Sequence, residues 1–168
     1  MTPRAAQNYS LPKGIVSIAK AVKKTNSTAY LVGGVLRDSI LKISNPDIDI
    51  AVVGDARKVG NAIAKTMDGK CFELDSLRGI YRVISPNPKN EIQIDIATVL
   101  DGINHDISKR DFTINSLALD LNLVNLVESV PQFSISQLIN QHEGIEDLKN
   151  GCLRMTNKKV FQEDPLRI

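Results

Sequence analysis

The chain has no tryptophan, only two cysteines and two histidines, and aromatic residues make up 4% of its 168 positions. So few aromatic rings leave little on which successive bases could stack, which argues against a broad, sequence-tolerant single-strand binder. Cys71 and Cys152 stand far apart, and neither they nor His105 and His142 fall at zinc-ligand spacings, so a zinc site is not expected. No apolar run approaches the roughly 18 residues of a membrane span, and the N-terminus lacks the apolar stretch of a signal peptide. No membrane association is expected, and the cytoplasm is the default compartment. A large charge of one sign is missing too: 21 Lys and Arg stand against 19 Asp and Glu, a net charge of +2. That balance does not by itself announce a nucleic-acid partner, so any RNA contact must be local.

What is present is an apolar fraction of 42%, enough at this length for one globular core. Periodicity predicts a helix over 13–24 with an apolar stripe of Ile15, Ile18, Ala19 and Val22, and with Lys13, Lys20, Lys23 and Lys24 on a solvated face. A strand over 29–32, a Gly turn and a helix over 35–42 follow, then a strand through 48–52 and a helix over 56–67. Strands are expected near 70–74, 81–85 and 91–97, with "SPNPKN" as the turn between the last two. From Asp111 the pattern suggests a short helix and a strand over 117–121; 122–140 carries no firm pattern. A short helix, a strand around 152–155 and the start of a final helix complete the chain. The mixture is α/β (α+β) with a small mixed central sheet flanked by helices, and there are no internal repeats.

Alternate residues on a strand share a face, so "PDIDIAVV" sets Asp47 beside Asp49 while Ile48 and Ile50 turn to the core. Two neighbouring carboxylates repel unless a cation lies between them, and hard oxygen ligands suit Mg²⁺. Taken alone, the pair is equally what a turn after Pro46 and a strand cap would produce. In "EIQIDIAT", Ile92, Ile94 and Ile96 occupy one face and Asp95 the other, so a neighbouring strand could add a third carboxylate for two-metal phosphoryl transfer. In "AYLVGGVLRDSIL", Gly33 and Gly34 open a helix that carries Arg37 and Asp38. Glycines allow close approach of backbone to phosphate, a helix N-terminus favours anions, and Arg37 offers a donor fork. A tight strand-to-helix turn is the structural alternative, and the spacing fits neither a Rossmann fingerprint nor a P-loop.

Together these segments resemble the class II tRNA nucleotidyltransferase (CCA-adding enzyme) and bacterial poly(A) polymerase family. Gly33-Gly34-x-x-Arg37-Asp38 followed by Asp47-x-Asp49 is similar to its first motif, and "KRDFTINSLALDL" to its RRDFTINA motif. "GIEDLKNGCLRM" resembles the segment that follows, and "EDPLRI" the opening of its EDxxR helix. The resemblance implies a nucleotidyltransferase-type head over 1–155 and the start of a neck helix over 156–168. It implies Asp47 and Asp49 as Mg²⁺ ligands, with Asp95 completing the catalytic carboxylates. Nucleotide contacts are implied at Gly33, Gly34, Arg37, Asp38 and Arg110, with Asp111 near the ribose and Asn115 bracing the motif. Asp164 and Arg167 would read the base edge of CTP or ATP.

The implied reaction is template-independent addition of CMP and AMP to a tRNA 3′ end, with A-only addition, poly(A) tailing and a catalytically inactive nucleotide- or RNA-binding module as alternatives. Lys109 replaces the first Arg of RRDFTINA, which removes a planar fork. Leu100 stands where the family carries an Arg in a loop thought to organise the switch from CTP to ATP. Family members continue past EDxxR into helical regions that hold tRNA. These 168 residues are therefore expected to bind RNA weakly and to need a C-terminal RNA-binding region or a separate chain.

Overall fold

The computed structural model describes residues 7–44, 47–86 and 92–158. The chain opens with β1 (Asn8–Ser10) and α1 (Ile15–Thr25), in which Ile15, Ile18, Ala21 and Val22 recur at helical spacing and are all buried. Lys13, Lys20, Lys23 and Lys24 are exposed, as a solvated face requires. Next come β2 (Thr28–Val32), α2 (Gly34–Leu41) and β3 (Asp47–Val53). The helix α3 (Ala56–Thr66) is capped by Asp55, whose carboxylate accepts from the Lys58 amide at 3.0 Å, and it buries Ala56, Val59, Gly60 and Ile63.

Three strands follow: β4 (Lys70–Asp75), β5 (Ile80–Ile84) and β6 (Gln93–Val99). A short helix α4 (Ile103–Ser108), absent from the sequence expectations, leads into a single 3₁₀ turn over Thr113–Asn115 where a short helix from Asp111 was expected. Beyond it lie β7 (Ala118–Asp120), β8 (Asn125–Val127), β9 (Val130–Ser134), β10 (Leu138–Ile139) and α5 (Gly144–Asn150).

Seven strands form one mixed sheet in the order β10-β7-β2-β3-β6-β5-β4. β3 and β6 pair in parallel through the α3, β4 and β5 excursion, and the other neighbours are antiparallel. Alternation divides the central strands cleanly. Leu31, Ile48, Ile50, Val52, Ile94 and Ile96 join the main core with α1 and α3. Val32, Ala51, Val99 and Ala118 face the other way and pack with Ile103 and Ile107 of α4 in a smaller cluster. That second face carries Asp47, Asp49 and Asp95.

The unpatterned stretch 122–140 packs onto the body. β1, β9 and β8 make a small separate sheet, anchored by Phe133, which is 1% exposed and stacks on Tyr9 with ring centroids 5.7 Å apart. The strand expected over 152–155 does not form. Met155 makes an isolated bridge to Phe112, and the segment from Cys152 to Met155 is exposed rather than alternating. Most of "SPNPKN", and the segment expected to start a final helix with Asp164 and Arg167, lie outside the described residues.

Candidate active site

Register sets the central geometry. Asp49 of β3 pairs with Asp95 of β6, Asp95 pairs with Arg82 of β5, and Val32 of β2 flanks Asp49 on the other side. Directly paired residues share a face, so Asp49, Asp95 and Arg82 form one cross-strand row with adjacent strands about 5 Å apart. Asp47 lies two residues before Asp49 on the same face, exposed at the start of β3.

Burial pushes the Asp49 carboxyl above its ordinary range; Arg110 draws it back, while Asp95 and Asp47 push it further up. This is an anionic edge held together against its own repulsion, and a hard cation would relieve that repulsion. Among the described residues no three His, Cys, Asp or Glu side chains converge into a ready cage. Mg²⁺ commonly takes one or two protein carboxylates, keeps several waters and receives further oxygens from substrate phosphates. The donor chemistry of Asp47 and Asp49 fits that mode.

The Gly33 turn closes over this edge. Its φ of 72° lies in the left-handed region, and a Cβ built there would meet the Arg110 guanidinium at 3.0 Å and the Asp49 carboxylate at 3.1 Å. Gly34 then begins α2 without a side-chain cap; the Leu36 amide donates to the Gly33 carbonyl at 3.3 Å, and the Gly34 and Val35 amides before it have no partner within the helix. Arg110 donates from Nε and Nη2 to Asp106 Oδ2 at 3.2 and 3.1 Å, one helical turn earlier. Its remaining nitrogen, Nη1, is the atom nearest Gly33. A cleft of about 270 Å³ is lined by Asp49, Asp95, Asp106 and Arg110, and an adjoining hollow of about 460 Å³ by Asp106, Lys109, Arg110 and Asp111.

Other sequence-derived residues have different surroundings. The Arg37 fork is engaged within the protein: Nε and Nη2 donate to Asp38 at 2.7 and 3.1 Å, and Nη1 donates to Asn115 Oδ1 at 2.6 Å. Asp38 is 5% exposed behind that pair, so its carboxylate meets Arg37 rather than the cleft. Asn115 in turn donates to Asp111 Oδ1 at 3.2 Å, the oxygen that also accepts from the Phe112 amide at 2.7 Å. Arg37 and Asn115 thus brace the Asp111 segment against α2.

Two residues were not anticipated. Arg82 grips both oxygens of Asp95, Nε to Oδ1 at 2.7 Å and Nη2 to Oδ2 at 2.8 Å. Nothing local in "IYRVI" announces that pairing, which only the β5–β6 register creates. Asp106 did have a signal, since Asp106-x-x-x-Arg110 is the i,i+4 spacing of a helical ion pair.

The poly A polymerase head domain family matches residues 29–154. The CC-adding tRNA nucleotidyltransferase of Geobacter sulfurreducens is 33% identical over 160 residues, which covers 94% of this chain and 33% of that protein. The A-adding tRNA nucleotidyltransferase of Halalkalibacterium halodurans is 27% identical over 162 residues, 90% of this chain and 36% of its own. Among solved structures, the Thermotoga maritima CCA-adding enzyme complexed with tRNA CCA superposes with a TM-score of 0.74 at 30% identity, over 95% of this chain and 39% of that one. The chain therefore spans a little over a third of the length of the relatives it matches. No described helix is long and apolar enough to cross a membrane. From the Gly33 turn through the carboxylate row to the Arg110 segment, the site lies wholly within the matched residues, and the chain belongs to the poly A polymerase head domain family.

Proposed function

We propose that this protein is a template-independent RNA nucleotidyltransferase that adds CMP and AMP to the 3′ end of tRNA and releases pyrophosphate. The observation that carries the reading is the juxtaposition of Asp47, Asp49 and Asp95 on one sheet face with Arg110 and the Gly33 turn above it. The names of the related proteins support tRNA as the acceptor.

Asp47 and Asp49 would hold Mg²⁺, which when bound neutralises the triphosphate and favours ionisation of the attacking hydroxyl. The protein's own groups do the rest. Arg110 Nη1 and the first amides of α2 present donors to phosphate oxygens beside the Gly33 turn. The 3′-oxygen of the RNA bonds to the α-phosphorus, its proton passes to solvent water, and the bond from that phosphorus to the α–β bridging oxygen breaks, so that pyrophosphate departs with that oxygen. Asp111, which lines the neighbouring hollow, is assigned to the ribose. Asp164 and Arg167 are assigned to the Watson–Crick edge of the base, an acceptor and a donor fork that match the complementary groups of cytosine and adenine. Holding the tRNA body falls to regions beyond this head, in the same chain or a partner.

Relatives bearing CC-adding and A-adding names match this chain at comparable identity, so specificity needs its own test. The intact protein is incubated with Mg²⁺, labelled CTP and ATP separately and together, and tRNAs that end before CCA, after C, or after CC. Ordered C, C, A incorporation is the expected result. Addition of A alone to the CC-ended tRNA marks an A-adding specialist, and long A tracts mark a poly(A) polymerase. Nucleotide binding without pyrophosphate release overturns the enzymatic reading in favour of a binding module.

A further inference from the structure

Asp95 looks like a third ligand for a cation at Asp47 and Asp49, yet both of its oxygens are engaged by Arg82. The pair is fork-to-fork, the strongest geometry open to a carboxylate and a guanidinium, and each side chain is 32% exposed. It is also built in by register. Arg82 sits directly opposite Asp95 on one side, and Asp49 sits directly opposite on the other.

Without Arg82, Asp95 would present a full negative charge one strand from Asp49, whose carboxyl already suffers burial and the nearness of Asp47. Three clustered carboxylates would bind a bare divalent cation tightly, because affinity at oxygen sites rises with ligand charge. We propose that Arg82 masks Asp95 as a latent third cation ligand, which keeps the affinity of the Asp47–Asp49 edge for a free divalent cation low. Cation loading is thereby coupled to the triphosphate, whose oxygens complete the coordination that Asp95 withholds. Arg82 is a positioning residue in this scheme: it acts on the cation through Asp95. The inference rests on the reading of Asp47 and Asp49 as the cation site.

The test is a titration of the intact protein with Mn²⁺ in the absence of nucleotide, following free Mn²⁺ by its paramagnetic resonance signal. Arg82→Gln is expected to tighten Mn²⁺ binding by about tenfold or more, since it unmasks a charged oxygen ligand. Arg82→Met, which keeps the aliphatic stem, gives the same gain, and thermal melts of both variants confirm that they remain folded. Adding Asp95→Asn to Arg82→Gln returns the affinity to near the wild-type value. If Arg82→Gln and Arg82→Met bind no more tightly while Asp49→Asn still abolishes binding, the masking role is overturned and the cation site stands. A gain that persists in the Arg82→Gln/Asp95→Asn protein also overturns it, because the effect is then loss of a positive charge rather than release of a ligand. Binding indifferent to Asp49→Asn overturns the cation-site reading and this inference together.

Discussion

The Thr113 hydroxyl donates to the Asp147 carboxylate at 2.5 Å, tying the segment that carries Arg110 and Asp111 to α5. Arg154 grips the same carboxylate through Nε and Nη2, at 3.0 and 2.9 Å, and the Thr113 amide donates to the Arg154 carbonyl at 2.9 Å. Thr156 extends the strap by hydrogen bonding to the carbonyls of Arg110 and Asp111. The nucleotide-facing loop is therefore fixed from behind by residues with no view of the cleft. Gly144 is part of the same joint: a Cβ there would collide with the Thr113 carbonyl oxygen.

Removing Asp147 leaves the Arg154 fork and the Thr113 hydroxyl without their shared acceptor. Asp147→Ala is expected to lower the melting temperature by about 5 °C or more and to reduce nucleotide addition by loosening Arg110. Arg154 and Thr113 hold the Asp147 carboxyl below its ordinary range. The contribution is therefore complete above the unfolded value near 3.8 and disappears as pH falls below it. Melting temperature against pH, wild type beside variant, shows the difference shrinking on acidification only below about pH 4.

Asp49 behaves in the opposite sense. Its folded carboxyl titrates above the unfolded value, so ionisation disfavours the fold, and the penalty grows as pH rises from about 4 through the folded value. Without divalent cation, Asp49→Asn is expected to melt higher than wild type at pH 7 and to approach it near pH 3. Chemical denaturation at the two pH values measures this, and a variant less stable at pH 7 contradicts the electrostatic account.

Gly33→Ala forces a side chain into a left-handed backbone and against Arg110 and Asp49. The strain is on the order of 1–3 kcal/mol, visible as a modest loss of stability. Displacement of both functional groups costs more: addition is expected to fall by about 100-fold or more. Steady-state kinetics beside a melt separates the two effects.

The Asp106–Arg110 pair leaves Nη1 of Arg110 aimed toward the Gly33 turn. Asp106→Asn keeps one acceptor oxygen and weakens the hold, so KM for the nucleotide is expected to rise about tenfold with kcat changed less. An equal fall in kcat with KM unchanged places Asp106 in the chemical step instead.

The parts of this site legible in the sequence are those fixed by strand alternation and a single turn. Asp47, Asp49 and Asp95 share a face because Ile48, Ile50, Ile94 and Ile96 must point to the core, and Gly33 is needed where strand meets helix. Pairings that depend on tertiary register were hidden. Arg82 reads locally as one polar residue between Tyr81 and Val83, and its partner lies 13 positions away through the β5–β6 pairing. Arg37 promised a phosphate fork, but Asp38 and Asn115 claim it, the latter 78 residues downstream. The helix α4 escaped notice because six residues, opened by Gly102 without a side-chain cap, give little periodic signal. A strand was expected around 152–155, yet within that segment only Met155 makes a strand-type bridge, to Phe112, while Cys152 and Arg154 bond to Asp147 and Thr113, so the segment serves as a strap.

The most direct test of the account is Mg²⁺-dependent extension of a tRNA lacking CCA by the intact protein, with wild type and Asp49→Asn run side by side and both shown to be folded. The predicted result is extension by wild type that stops on chelation, and a loss of about 1,000-fold or more in Asp49→Asn. Extension by Asp49→Asn within about tenfold of wild type contradicts the assignment of chemistry to the Asp47–Asp49 face.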